Sequence, residues 1–250
     1  MNVKEILGMY RKLAWRDFYG RALRRVFDFA IPQTSYSQAG EDMVVDFLLQ
    51  GVGIHPLYLE LGTNHPKAGN NTYKFYRRGC RGLLVEADPS LIQAIKRARR
   101  RDTVLNVGVG IDDSSSKKFY IFECSGINTF DEKEAMERDQ SSSTKIKAVI
   151  DIPMMSVNTI ISKYLPRTPD FLSIDIEGLD LAVLKTLDFE LYPIPVICAE
   201  TCLYSETHIK GKDSEIERFL TTKGYFVYAD TYVNTIFVNR EWFCSVQRQD

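Results

Sequence analysis

Four acidic residues stand at or near the ends of apolar runs, and their positions suggest chemistry. Glu60 lies in Leu57-Tyr58-Leu59-Glu60-Leu61-Gly62-Thr63-Asn64, and Glu86 closes Gly82-Leu83-Leu84-Val85-Glu86. Asp175 lies in Phe171-Leu172-Ser173-Ile174-Asp175-Ile176-Glu177-Gly178, and Glu200 ends the run from Val196. If these runs are parallel strands of one sheet, their carboxyl ends share the edge where such sheets bind ligands. Gly62 would let a cofactor approach the backbone closely. Amides near Asn71-Thr72, where a helix is expected to open, can hold a carboxylate. The next glycine after Gly62 is Gly69, so no G-x-G-x-x-G is present and a dinucleotide pyrophosphate is disfavoured.

An acid at the end of the second strand can accept hydrogen bonds from both hydroxyls of a ribose, which makes Glu86 a nucleoside-binding candidate. Its plainer role, a charge at a helix N-terminus, is already filled by Asp88 next to Pro89. Asp175 and Glu177 fall on one side by the two-residue alternation of a strand. Two carboxylates that close need a cation, a substrate donor or a shared proton between them. The plainer reading is one helix-capping acid and one surface acid.

The elements that must position these residues follow from the rhythm of the chain. Apolar runs at 57–61, 82–86, 103–109, 171–176 and 196–200 alternate with amphipathic stretches near 71–78, 89–100, 157–165, 179–187 and 214–223. Continuous apolar strands separated by helices predict a parallel sheet covered on both faces, an α/β doubly wound Rossmann-like fold. The runs 225–229 and 235–239, joined by a short connection, predict a terminal antiparallel hairpin. A nicotinamide-binding domain would keep its late strands parallel. Ser37 is the expected N-cap of a helix through Gln50.

Residues 117–156 break the alternation, with strand-like runs 119–122 and 149–154 around a polar helix from 130 to 139. Thr129 and Glu132 fit a capping box there. A polar segment just after the third strand suits a lid, so 123–148 is a candidate substrate-side lid in which Asn128 orients the acceptor or cofactor. A surface insertion is the alternative.

The 250 residues carry a formal net charge of -1, which offers no global field for nucleic acid. Five cysteines, Cys80, Cys124, Cys198, Cys202 and Cys244, are scattered and complete no zinc site, which fits reduced thiols and a cytoplasmic setting. Residues 1–36 read as a basic helical extension ahead of a domain at 37–250. Arg11, Arg16, Arg21, Arg24 and Arg25 mixed with apolar residues allow peripheral membrane contact through 1–31, or a helix packed on the domain. Charges from Lys4 to Asp28 leave no signal-peptide core.

From Ser37 to Trp242 the chain resembles the FkbM family of class I methyltransferases. The resemblance is carried by SQAGEDMVVDFLL, LELGTNHPKAGNNTYKFY, GLLVEADP, the GVG after the third strand, GINTF and FLSIDIEGLDLAVLKTLDF. It implies S-adenosylmethionine as cofactor and, usually, O-methylation of sugars, glycans or polyketides. It assigns Glu60, Gly62, Asn64 and Thr72 to the cofactor loop and its methionine end, Glu86 to the ribose, and Asn106 and Val107 to the adenine. The family's loop commonly continues with an acid and a glycine after the asparagine, where this chain has His65-Pro66. A hydroxyl acceptor needs a base or a Lewis acid. Asp175, Glu177 or His208 would serve as base; alternatively Asp175 and Glu200 would hold a divalent ion such as Mg2+. An inactive cofactor-binding partner in a biosynthetic assembly and a membrane-associated scaffold are the other readings.

Overall fold

A computed structural model describes residues 34–113, 116–123, 125–141, 144–176, 178–202, 211–212 and 214–248. The chain divides between Met1–Thr34 and a second, compact unit, Ser35–Asp250, to which the elements below belong. The basic segment 1–31, Glu177 and His208 lie outside the described residues.

The second unit is built on a seven-stranded sheet. Its strands are β1 (Tyr58–Leu61), β2 (Gly82–Val85), β3 (Thr103–Leu105), β8 (Phe171–Ile174), β9 (Val196–Glu200), β10 (Tyr225–Asp230) and β11 (Asn234–Asn239). Their spatial order is β10-β11-β9-β8-β1-β2-β3. Pairing is parallel from β3 through β2, β1 and β8 to β9, while β11 runs antiparallel to both β9 and β10. The order reverses beside β1, so the carboxyl ends of β1, β2 and β8 open on one crevice.

Both faces of the sheet are dry, as continuous apolar strands require. On one face Leu59, Leu83, Leu172 and Ile197 pack with Ile160 and Ile161 of α5 (Val157–Tyr164), Val183 and Leu184 of α6 (Asp180–Thr186), and Leu220 of α7 (Ser214–Thr222). On the other, Tyr58, Leu84, Phe171 and Val196 meet Val45 and Leu49 of α1 (Glu41–Gly51), Phe75 of α2 (Tyr73–Arg77) and Ile95 of α3 (Pro89–Ala98). Helix α8 (Arg240–Gln247) follows β11, capped by the Asn239 side chain.

Four local expectations are corrected. The run 103–109 is two strands, because the chain turns at Asn106-Val107 and β4 (Gly108–Gly110) pairs with β7 (Met154–Ser156) in a separate ribbon. Helix α1 begins at Glu41 behind Gly40 at φ 96°, not at Ser37; the Ser37 hydroxyl instead accepts from Gly40 N and Asp42 N, each at 3.2 Å. The strands flanking the polar helix are longer than expected: β5 (Lys117–Phe122) and β6 (Ile146–Ile152) pair antiparallel around α4 (Glu132–Ser141). The cap of α4 is Asp131, whose carboxylate accepts from Glu134 N at 2.8 Å, while Thr129 Oγ1 bonds Glu134 Oε2 at 3.0 Å.

Candidate functional site

The crevice is organised by the end of β1. Gly62 N and Thr63 N both donate to Val85 O, at 3.0 and 3.1 Å, which pulls the first loop against β2. Gly62 has φ 84° and Asn64 has φ 46°, so the chain turns left-handed twice within three residues. That turn aims Asn64 N at Glu86 Oε2, 2.7 Å away.

Glu86 is buried, and its other oxygen accepts from Asp88 N at 2.8 Å. Burial raises its pKa, opposed by the hydrogen bonds from Asp88 and Asn64. A carboxylate has about four acceptor positions, so capacity remains on the cleft side for a ligand donor. Asp88 caps α3 by accepting from Ser90 N at 2.8 Å, leaving Glu86 free of that duty. Asn106 works behind the wall: its Nδ2 donates to Glu86 O and Ala87 O, both at 2.9 Å. This amide bridge turns the chain after β3 and brings Val107 into the cleft.

The cleft encloses about 660 Å³ of space open to solvent. Gly62, Asn64, Glu86 and Asp175 form its polar side, while Val85, Val107, Val109, Phe119 and Phe130 form an apolar wall. The Phe119 and Phe130 rings lie 4.6 Å apart, centroid to centroid. Asn128 closes the far corner, buried, with Oδ1 accepting from Phe122 N at 2.8 Å and Nδ2 donating to Asp88 Oδ2 at 3.3 Å. Phe119 and Phe130 are site residues that the sequence does not single out. The available signal is the strand alternation that places Phe119, Ile121 and the Thr129 bridge partner Tyr120 on defined faces.

At the end of β8, Asp175 N donates to Leu61 O at 3.0 Å, which fixes the neighbouring strand ends together. The Asp175 side chain opens to the cleft and hydrogen-bonds the Glu200 side chain at the end of β9. Asp175 is exposed on the cleft side, and desolvation of its carboxyl by the surrounding residues raises its pKa, opposed by that bond. Asp180, buried at the start of α6, is pushed up to about 7 by desolvation and by the charge of Asp175; its Oδ1 accepts from Ile176 N at 3.2 Å. Among the described residues no group of three or more His, Cys, Asp or Glu side chains is placed to hold a metal ion. Asp175 and Glu200 bring two acidic groups to one point.

Glu60 and Thr72 sit elsewhere. Glu60 is buried in mid-sheet, accepting from Asn70 Nδ2 at 2.9 Å and Thr72 Oγ1 at 3.1 Å. Thr72 is fully buried, and neither side chain lines the cleft.

The donor set suits an adenosyl cofactor bearing a methionine end. An acid faces where a ribose diol would lie, an apolar aromatic wall stands beside it, and a glycine allows close approach at the strand end. The sheet order, with its single antiparallel strand beside β10, and the acid-ending strands define a doubly wound nucleoside-cofactor protein. Residues 60–227 match the methyltransferase FkbM domain, and the chain belongs to that family. It is an S-adenosylmethionine-dependent methyltransferase. Similar solved structures include an O-methyltransferase from Bacillus cereus in complex with SAH, at 14% identity and TM-score 0.40, over 87% of this chain and 88% of that one. Another is a TehB-like SAM-dependent methyltransferase from Corynebacterium glutamicum, at 9% identity and TM-score 0.40, over 90% of this chain and 98% of that one. A sequence search of curated proteins returns no match. Among the described residues no helix is long and apolar enough to cross a membrane.

Proposed function

We propose that the chain transfers a methyl group to a hydroxyl oxygen of a sugar, glycan or hydroxylated metabolite, with Asp175 as general base. The observation that carries this reading is the Asp175–Glu200 carboxyl pair, with Asp175 opening into the cleft beside Gly62. The cofactor, when bound, supplies an electrophilic methyl on a sulfonium. Glu86 would accept the ribose hydroxyls, and Val107, Phe119 and Phe130 would pack the adenine. Asn64 would bound the methionine end. An acceptor hydroxyl placed against Asp175 loses its proton to that carboxylate as the oxygen–carbon bond forms and the carbon–sulfur bond breaks. Glu200 carries the proton of its hydrogen bond to Asp175, so Asp175 is the carboxylate that takes the acceptor's proton, and the pair then releases one proton to water.

The raised direction of the Asp175 pKa suits this task, since it makes the carboxylate a stronger proton acceptor than an ordinary aspartate. The arrangement also admits a second reading, in which the two acids hold a divalent ion that lowers the pKa of the acceptor hydroxyl. The choice is testable with one panel. Wild-type protein and Asp175→Asn are incubated with S-adenosylmethionine and a set of glycans and hydroxylated metabolites, and products are read by mass spectrometry. A wild-type product carrying a new O-methyl group, reduced about 10²–10⁴-fold in the variant, supports the base. Full loss of wild-type turnover on exhaustive chelation moves the role to a metal ion. Methylation of nitrogen or carbon alone sinks the hydroxyl assignment.

A further inference from the structure

Behind the first loop lies a buried charged cluster that the cleft chemistry does not use. Arg99, at the C-terminal end of α3, is 0% exposed. All five N–H donors of its guanidinium have partners within the protein. Nε donates to Asp102 Oδ2 at 2.7 Å, Nη1 to Pro66 O at 3.1 Å and Asn70 Oδ1 at 3.0 Å, and Nη2 to Thr72 Oγ1 at 2.8 Å and Tyr58 Oη at 3.3 Å. A lysine could not reproduce this fork, because its ammonium is a point donor.

The five bonds divide into two sets. Asp102 and Tyr58 anchor the guanidinium to the sheet: Tyr58 Oη donates to Asp102 Oδ1 at 2.7 Å, and Gly82 N donates to the same oxygen at 3.0 Å. Pro66, Asn70 and Thr72 belong to the loop that begins at Gly62. Asn70 and Thr72 pass the restraint on to Glu60, which both contact through hydrogen bonds. Burial pushes the Glu60 carboxyl up to about 7, and the nearby Arg99 charge opposes that rise. The rings of Tyr73 and Tyr76 stand 5.5 and 4.9 Å from the guanidinium carbon and seal it from water.

We propose that Arg99 is a positioning residue for the cofactor, fixing the 64–72 loop from behind so that Asn64 meets Glu86 at the cleft wall. This rests on the assignment of the cleft to the cofactor. The physical case is that a left-handed residue costs backbone energy even where asparagine tolerates it, so the surrounding contacts select that conformation. Here His65-Pro66 removes one backbone donor from the loop, and the carbonyl of Pro66 is taken by Arg99 instead. The neighbouring turn is held by His65 Nδ1, which accepts from Lys67 N and Ala68 N, and by Asn70, whose N donates to Tyr36 O at 3.0 Å.

The test uses Arg99→Lys and Thr72→Val in the full chain, with Glu86→Ala as the reference for the cleft. Two properties are read: affinity for S-adenosylhomocysteine by calorimetry, and amide hydrogen exchange of residues 63–72 without ligand. The expected result is a cooperative melt in both variants, faster exchange confined to the loop, and affinity lower by about tenfold to a hundredfold. Thr72→Val cuts the loop side of the same bridge and keeps the Asp102 anchor, so it answers the question if Arg99→Lys fails to fold. Either folded variant binding S-adenosylhomocysteine within about twofold of wild type, while Glu86→Ala binds weakly, overturns the proposal. If Glu86→Ala binds normally too, the cleft assignment itself fails.

Discussion

The backbone carbonyl oxygen of Asp175 lies 1.8 Å from where a Cβ on Gly62 would stand. The ends of β1 and β8 therefore touch at a point that no side chain can share. Gly62, which shapes the first loop, and Asp175, the proposed base, are locked by one contact. Gly62 also has φ 84°, which L side chains resist. Gly62→Ala must separate the two strand ends or distort the loop. We expect a loss of about 2 kcal/mol or more of stability, with S-adenosylhomocysteine binding abolished at millimolar ligand. Thermal melting and calorimetry of the variant check both. A variant with a wild-type melting temperature would show that the contact relaxes freely.

Glu86 has a sharper signature, because its oxygens already accept two backbone N–H groups. Glu86→Ala removes those acceptors together with the ones facing the cleft. Affinity for S-adenosylhomocysteine should fall by about 2–4 kcal/mol. Adenine alone, which has no ribose, should lose much less. Equal losses for the two ligands would take the ribose away from Glu86.

The strands that carry these acids are legible in the amino-acid sequence. Strands β1, β2, β8 and β9 read directly from it because each is buried on both faces and so is apolar at successive positions. Glu86, Asp175 and Glu200 fall on one edge because parallel strands share a direction, whereas Glu60 lies within β1 and is buried. The break at Asn106 is not legible: an apolar run does not reveal that an amide will turn to the carbonyls of Glu86 and Ala87. Arg99 is hidden for a related reason. It stands in the run Arg97-Ala98-Arg99-Arg100-Arg101, where one arginine reads like its neighbours. Only the fold, by bringing Tyr58, Asp102 and the loop around one position, distinguishes the buried member. The family resemblance assigns Thr72 to the cofactor's methionine end, but its hydroxyl is taken by the same arginine.

Asp180 supplies a pH prediction. Its pKa in the folded protein is raised from 3.8 to about 7, so between those values the folded state binds more protons than the unfolded one. Stability contributed by this site is then present at low pH and declines as pH rises from about 4 toward 7, levelling off above. Asp180→Asn keeps an oxygen for Ile176 N and removes the charge. Relative to wild type, the variant should gain on the order of a few kcal/mol at pH 8 and little at pH 4. Urea denaturation of both proteins at the two pH values measures the difference. A constant offset between them would mean Asp180 ionises as easily folded as unfolded.

The segment 123–148 touches both sides of the cleft. A Cβ on Gly126 would lie 3.7 Å from Asn64 Nδ2, and one on Gly178 would lie 3.8 Å from Glu134 Oε2 of α4. The segment shares a small apolar cluster with β5, in which Tyr120 and Phe122 of β5 and Ala135 of α4 are buried and Ile127 and Ile146 pack against them, apart from the two large cores. Within it Arg138 is held by Ile127 O at 2.6 Å and Glu134 Oε1 at 2.7 Å, so α4 and the Gly126 turn are tied together. The segment and the separate β5-β6 ribbon share a cluster distinct from the two large cores, which is the construction of a body that can close as a unit. We therefore predict that it acts as a lid over bound cofactor. In limited proteolysis, cleavage near Ser141 should slow when S-adenosylhomocysteine is saturating, while cleavage at the 248–250 terminus stays constant as an internal reference. Asn128→Ala should weaken that protection, because Asn128 joins β5 to Asp88 beside the ribose-side acid. Equal cleavage near Ser141 with and without ligand would leave 123–148 as a fixed wall of the cleft.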